Sequence, residues 1–487
     1  MKKARAMAII CALILTAAGC SSGGDSVDTE VTVTTTDSES AAENETAAET
    51  EAETEAEADE SETEAEESET ESETESETEA ETEAETETAE DESETEAETE
   101  AAAAETEAEV TDTTTAATEE DVTETTTAAE IEAAQSDSGT YAADESVVTP
   151  LGRTYFGDDD ILWCALSGTG AEFTFTGTKC EVEIKGDTVC MTGAVDNKVR
   201  IAIYVDGERV IDDMVDVATE TYTVFESDTE QTVDIKIVKL SEAAQSCFGI
   251  KSITVEGEKP VPVDKKDMLI EFVGDSITCG YGVDDEDRDH HFSTTTEDVT
   301  KTYAYKTAEA LNADYSMVSY SGYGIISGYT SDGTKASSQL VPTYYNKVGF
   351  SYGSFGGVAP SDIEWSFERQ ADVVVINLGT NDSSYCKDSD KMMEYAEGYM
   401  DFIKQVRAAN PNAKIICTLG TMGIDLCEYL EYAVITYNEE TGDNDVYYLG
   451  LPAQTGSDGY AADWHPTEAT HEKAAALVTA KIQEIMG

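Results

Sequence analysis

Four residues in this chain have the types and surroundings needed for acyl transfer: Ser276, Gly322, Asn381 and His465. Ser276 follows the apolar run Met268-Leu-Ile-Glu-Phe-Val273 in the turn Gly274-Asp275-Ser276. A serine just past a strand's carboxyl end is held on a rigid frame with its hydroxyl free, and open α/β sheets keep their ligand sites at that edge. Gly322 lies in Ser319-Tyr-Ser-Gly322-Tyr-Gly324, Asn381 in Asn377-Leu-Gly-Thr-Asn381-Asp382, and His465 in Asp463-Trp464-His465-Pro466-Thr467. Ser276 would be the nucleophile and His465 the base that takes its proton. The backbone amides of Ser276 and Gly322, with the side-chain amide of Asn381, would receive the developing oxyanion. Each residue alone has a plainer use: Gly-Asp-Ser is a turn, Gly322 a bend, Asn381 a loop brace, His465 a cap on the helix that follows. In this order, each at the edge of an element, they point to one site.

That site needs a parallel sheet to position it. Apolar runs at Met268–Val273, Tyr315–Ser319, Val373–Leu378, Lys414–Leu419 and Val446–Leu449 read as buried strands. Helical patterns at Lys301–Leu311, Lys391–Ala409 and Glu468–Met486 lie among them. Strands separated by helices imply an α/β/α domain with a five-stranded parallel sheet covered on both faces, over residues 267–487. In front of it, residues 141–257 alternate apolar and polar in short runs: Ala171–Thr176, Cys180–Lys185, Arg200–Val205, Thr221–Phe225 and Thr232–Val238. Asp206-Gly207 is a hairpin signal between two of them. About eight strands without a convincing helix predict a β-sandwich of jelly-roll type, serving as a carbohydrate-binding domain or a platform. Its lone Trp163 reads as core rather than a sugar-stacking residue. Residues 258–266, with two prolines, read as the linker.

The 487 residues include 105 acidic and 28 basic ones, a net charge of −77. No Lys or Arg occurs between Ala6 and Gly152, so the acidity belongs to a tail of Glu, Thr, Ala and Ser. Residues 20–140 lack aromatic side chains and cannot bury enough apolar area to offset the entropy of ordering. They predict a disordered, self-repelling tether. Nucleic acid is excluded as a partner, because phosphate binding needs clustered Lys and Arg. Residues 1–19 carry Lys2, Lys3 and Arg5 before an apolar run too short for a convincing span, which is the form of an export signal. Its end, Leu15-Thr-Ala-Ala-Gly-Cys20, resembles the bacterial lipoprotein signal, which implies lipidation of Cys20 and a membrane anchor at the cell surface. Of ten cysteines, eight lie beyond Cys11 and Cys20, and none forms a Cys-x-x-Cys pair, so zinc and redox motifs have no support. Cys180, Cys190 and Cys417 sit in apolar runs and read as buried thiols. His290-His291, in an acidic loop, fits no metal spacing and reads as solvated. His471 falls in the last helix and reads as structural.

The motifs Gly-Asp-Ser-Ile-Thr-Cys-Gly-Tyr-Gly, Tyr-Ser-Gly-Tyr-Gly, Val-Val-Val-Ile-Asn-Leu-Gly-Thr-Asn-Asp and Asp-Trp-His-Pro together resemble the SGNH (GDSL-like) hydrolases. More narrowly, residues 141–487 resemble the carbohydrate esterase family 2 acetyl esterases, in which a jelly roll also precedes the sheet. The resemblance implies removal of O-acetyl groups from plant cell-wall polysaccharides such as xylan and glucomannan, with no metal or cofactor. It makes Ser276 and His465 the catalytic pair and Gly322 and Asn381 the oxyanion donors. In one respect the sequence departs from the pattern. Many SGNH enzymes hold an aspartate three residues before the histidine, where this chain has Ala462, with Asp463 two before. The group that orients His465 is then Asp463 or a backbone carbonyl. Relatives resembling the Asp-Trp-His-Pro form imply the Trp464 carbonyl, with Asp463 the second choice. Two other functions compete: an SGNH esterase on peptidoglycan or another acyl ester, and a non-catalytic surface carbohydrate-binding protein. The last has no need of all four site residues.

Overall fold

The computed structural model describes residues 138–487. The export signal, Cys20 and nearly all of the acidic tether lie outside the described residues.

The front domain is built from β1 (Ser138–Tyr141), β2 (Thr149–Leu151), β3 (Thr154–Phe156), β4 (Leu162–Cys164), β5 (Gly170–Gly186), β6 (Val199–Val205), β7 (Glu208–Val215), β8 (Thr219–Lys239), β9 (Phe248–Gly257) and β10 (Val261–Pro262). All ten join one hydrogen-bonded network, along the path β3-β4-β9-β5-β8-β6-β7. Along β5 buried and half-buried residues alternate, as period-two geometry demands of a strand with one face in a core. The runs expected as separate strands at 171–176 and 180–185 are both within β5, and those at 221–225 and 232–238 both within β8. A register shift between Gly177 and Lys179 divides β5: β2 and β10 pair with its first half and β9 with its second. A bulge of this kind bends a strand without ending it.

Two further expectations need correction. Part of the linker is strand, because Val261 and Pro262 pair with Thr174 and Phe173. Proline is tolerated there because an edge strand leaves its missing N–H unused. A short helix, Thr188–Thr192, also interrupts the strands; the Asp187 side chain caps it by accepting from the Cys190 amide at 2.9 Å. Cys190 therefore lies in a helix rather than a strand-like run. It is buried, as are Cys180 and Cys417, and all eight described cysteines are free thiols. Trp163 is core, 1% exposed.

The second domain holds β11 (Leu269–Gly274), β12 (Asp314–Ser319), β13 (Val373–Asn377), β14 (Lys414–Leu419) and β15 (Val446–Gly450), all parallel, in the order β12-β11-β13-β14-β15. Val273, Val374, Ile376, Ile415 and Cys417 face the helices Ser389–Ala409 and Cys427–Thr441. Ile270, Phe272, Val373, Val375 and Ile416 face the helices Tyr303–Ala310 and Glu468–Met486. The front domain contributes to both layers, with Leu166 and Ala243 on one side and Ala202, Val238 and Leu240 on the other. The chain leaves β11 towards β12 and then returns to its other side for β13. This reversal of direction is where open sheets form a crevice beyond their carboxyl ends.

Candidate active site

Register brings the predicted residues together. Gly274, the last residue of β11, lies opposite Ser319 of β12 and Asn377 of β13, so the three following turns start level. Ser276 opens the short helix Ser276–Cys279, capped by Asp275, whose carboxylate accepts from the Ile277 amide at 3.1 Å. After β12, Gly322 adopts φ 82°, and a Cβ there would meet nothing within 4 Å. Its glycine is therefore demanded by backbone conformation, not by crowding. After β13, Asn381 is buried; its amide nitrogen lies 2.8 Å from the Tyr323 carbonyl and 3.3 Å from Asp275 Oδ2.

His465 arrives from the far end of the chain. Its Nε2 is 2.9 Å from Ser276 Oγ, and its Nδ1 is 3.0 Å from the carbonyl oxygen of Ala462. A carbonyl can only accept, so Nδ1 carries the proton and Nε2 turns a lone pair to the serine hydroxyl. Burial holds the imidazole down at about 4, against the hydrogen bond to Ala462 and the charge of Asp463, which favour protonation. The ring is therefore neutral near pH 7, the state a base requires.

The Trp464 carbonyl expected to orient this ring does something else: it accepts from Gln454 Nε2 at 2.6 Å. Asp463 and Trp464 both lie in the left-handed region, at φ 47° and 63°, and this reversal carries the Ala462 carbonyl back to the ring. Such conformations cost on the order of 1 kcal/mol or more per non-glycine residue, so the surroundings must impose them. Those surroundings are visible: the Asp463 amide donates to the His290 carbonyl at 2.9 Å, and Arg288 lies 4.1 Å above the Trp464 ring.

Asp463 also turns away from the histidine. Its Oδ1 is 2.9 Å from His291 Nδ1, and its Oδ2 accepts from the Tyr281 hydroxyl. Burial works against its charge, and those two hydrogen bonds outweigh it, keeping the carboxyl below its ordinary range. Ala462, where many SGNH enzymes hold aspartate, is buried against Gly282, whose Cβ would stand 2.6 Å from the alanine methyl. The two turns pack so closely that any side chain at 282 would collide with Ala462.

Three residues with work at this site were not singled out in the sequence. Tyr281 stacks on the His465 ring at 3.8 Å between centroids, 14° from parallel. Asp382 is fully buried, and its carboxylate accepts from the amides of Ile325, Ile326 and Ser327 at 2.8 to 3.1 Å. It thereby fixes the segment after Gly322. Asp275 joins the nucleophile turn to Asn381; burial and then the neighbouring Asp382 charge push its carboxyl up to about 7, against its bond from Ile277. All three stand inside the quoted motifs, and position beside Ser276 and Asn381 was the available signal. His471, in the last helix, accepts from the Tyr303 amide at 3.2 Å and is structural, as read. His290 and His291 are exposed. Among the described residues no group of three or more His, Cys, Asp or Glu is placed to hold a metal ion.

Comparison with known proteins places this geometry. Residues 150–263 match the family model for the carbohydrate esterase 2 N-terminal region, and residues 272–473 that for the GDSL-like lipase/acylhydrolase family. The chain is 32% identical over 345 residues to the cellulase/esterase CelE of Acetivibrio thermocellus, covering 69% of this chain and 39% of that protein. It therefore spans well under two thirds of that relative's length. It is 25% identical over 356 residues to an acetylxylan esterase/glucomannan deacetylase of Cellvibrio japonicus, covering 71% of this chain and 90% of that protein. A solved family two carbohydrate esterase from Clostridium thermocellum, in complex with cellohexaose, is 30% identical with a TM-score of 0.62, covering 70% of this chain and 99% of that one. On these grounds the chain belongs to carbohydrate esterase family 2.

Proposed function

We propose that this protein is an exported carbohydrate O-acetyl esterase that removes acetyl groups from plant cell-wall polysaccharide such as xylan or glucomannan. The observation that carries the reading is the contact between Ser276 Oγ and a neutral His465, whose other nitrogen is tied to a backbone carbonyl. Ser276 attacks the acetyl carbonyl while His465 Nε2 takes the hydroxyl proton. Negative charge on the carbonyl oxygen is received by the amides of Ser276 and Gly322 and by the Asn381 amide proton that otherwise rests on Asp275 at 3.3 Å, the other staying on Tyr323. Collapse breaks the ester bond. His465 returns its proton to the departing sugar oxygen, and acetyl remains on Ser276. Water, deprotonated by His465, then attacks the acetyl-serine and releases acetate.

The Ala462 carbonyl supports the imidazolium formed in each step without a full charge of its own. We read the front domain as a jelly roll, the acidic segment as a tether, and Cys20 as the lipid-bearing residue that anchors the enzyme at the cell surface. Export agrees with the kind of substrate that the esterase from Cellvibrio japonicus is named for. The test is acetate release from acetylated xylan and glucomannan by wild type and Ser276→Ala. Loss of the nucleophile should remove several orders of magnitude in kcat; a variant near wild-type turnover would contradict the mechanism.

A further inference from the structure

We infer that Glu242, supplied by the front domain, is a positioning residue that holds the oxyanion loop of the α/β domain in its working shape. The inference rests on the reading of Ser276 and Gly322 given above. Glu242 stands between β8 and β9 and is 1% exposed. Its Oε2 accepts from the Ser321 amide at 2.9 Å, and its Oε1 from Gln245 Nε2 at 3.3 Å. Ser321 immediately precedes Gly322. The Glu242 backbone is fixed in turn: its amide donates to Glu297 Oε2 at 2.8 Å, and its carbonyl accepts from Lys239 Nζ at 2.5 Å. Hydrogen bonds thus run from Glu297 of the α/β domain, through Glu242 of the front domain, and back to the turn after β12.

Filling a domain interface does not account for this arrangement. Glu242, Glu297 and Lys239 are all almost fully buried, and apolar side chains of similar volume would close the same gap at a lower cost in desolvation. What the carboxylate adds is a charge-assisted bond to one particular amide. Asp382 pins the far side of the same loop through Ile325, Ile326 and Ser327. Between these two anchors Gly322 has open space beside its Cα, so the direction of its N–H is set from both ends. An oxyanion donor acts where charge develops, so a displaced Gly322 amide should slow the chemical step and leave ground-state binding unchanged.

The experiment compares wild type with Glu242→Met, which fills the space without an acceptor, and Glu242→Gln, which restores an oxygen at the same reach. The Met variant should lose roughly tenfold to a hundredfold in kcat, the scale of a small misplacement, with KM within about twofold. The Gln variant should recover most of that loss. A folded Met variant as fast as wild type, a loss confined to KM, or a Gln variant as slow as Met would overturn the positioning role. Acetate release that Ser276→Ala abolishes secures the esterase reading separately, so these outcomes bear on Glu242 alone. Deuterium exchange followed by NMR needs neither activity nor a stable Met variant: the wild-type Ser321 amide should be strongly protected. Exchange at the rate of a free amide would overturn the proposal even if the enzyme acts on some other ester.

Discussion

The two turns that bring the serine and the histidine together are built on opposite principles. The turn at Gly274–Cys279 is local: Asp275 caps its own helix, the chain ends in a left-handed glycine at Gly280, and each residue type suits its backbone. The turn at Ala461–Pro466 is held from outside. Two non-glycine residues stand in the left-handed region, with Gln454, Tyr281, His290 and His291 supplying the bonds that keep them there. A nucleophile can be placed by local rules, because only its position beyond the strand matters. A base, the role proposed for His465, has to be aimed at both ends of its ring, and the bonds that hold its turn come from groups outside that turn.

The comparison can be tested in order of effect. Asn381 follows β13 as Ser276 follows β11, and in the proposed mechanism its amide is an oxyanion donor from the local side. Asn381→Ala should lower kcat by roughly a hundredfold to a thousandfold, the cost of one oxyanion donor, with little change in KM; a drop below fivefold would remove Asn381 from the mechanism. Tyr281 links the two turns, stacking on His465 while donating to Asp463. Tyr281→Ala frees the ring on one face and should cost about tenfold in kcat, the scale of lost orientation, whereas Tyr281→Phe, which keeps the stack, should lose much less. Equal losses in the two variants would place the hydroxyl, not the stack, in charge of the ring.

A smaller, global effect follows from burying neutral histidines. Desolvation holds His465 at about 4 and His471 at about 3, both below the usual 6.5. The unfolded chain therefore binds more protons between those values. The stability that the two histidines contribute is present above pH 6.5 and is lost as pH falls towards 4 and 3. Asp275 and Asp382, raised by burial to about 7 and about 6, act in the opposite sense over part of that interval, so the histidine contribution is read as a difference. The melting temperature of His471→Gln should fall less than that of wild type as pH drops from 6.5 to 3, and identical profiles would show that His471 does not titrate in this way.

Much of this was legible in the sequence, and the reason differs by element. Strands buried on both faces read as unbroken apolar runs, so the five predicted strands fall within a residue of β11 to β15. The helix at Glu468–Met486 matches its pattern, and the helix at Ser389–Ala409, capped by Asp388, begins two residues before its expected start at Lys391. The helix Cys427–Thr441 went unread although Leu430, Ala433, Val434 and Tyr437 keep helical spacing, because its start at Leu426 has no side-chain cap to announce it. Long strands with an internal bulge looked like pairs of short ones. At the site, Ser276, Gly322 and Asn381 could be named because each sits in a turn just past a strand, and His465 because it stands just before the last helix. The carbonyl that faces His465 Nδ1 could not, since nothing near Asp463 and Trp464 prefers a left-handed backbone. Only the folded environment makes Ala462, and not Trp464, the partner.

The claim that most needs testing is that a backbone carbonyl, and not a carboxylate, is the partner of His465 Nδ1 during catalysis. Asp463→Asn tests it directly, because asparagine can still accept from Tyr281 or His291 but carries no charge. With Ala462 as the partner of His465, kcat on an acetylated substrate should change by about tenfold or less, a barrier change of about 1.4 kcal/mol. A fall of about four orders of magnitude, as when a triad aspartate becomes asparagine, would mean that the Asp463 carboxylate turns to the ring during catalysis, and the dyad would be wrong.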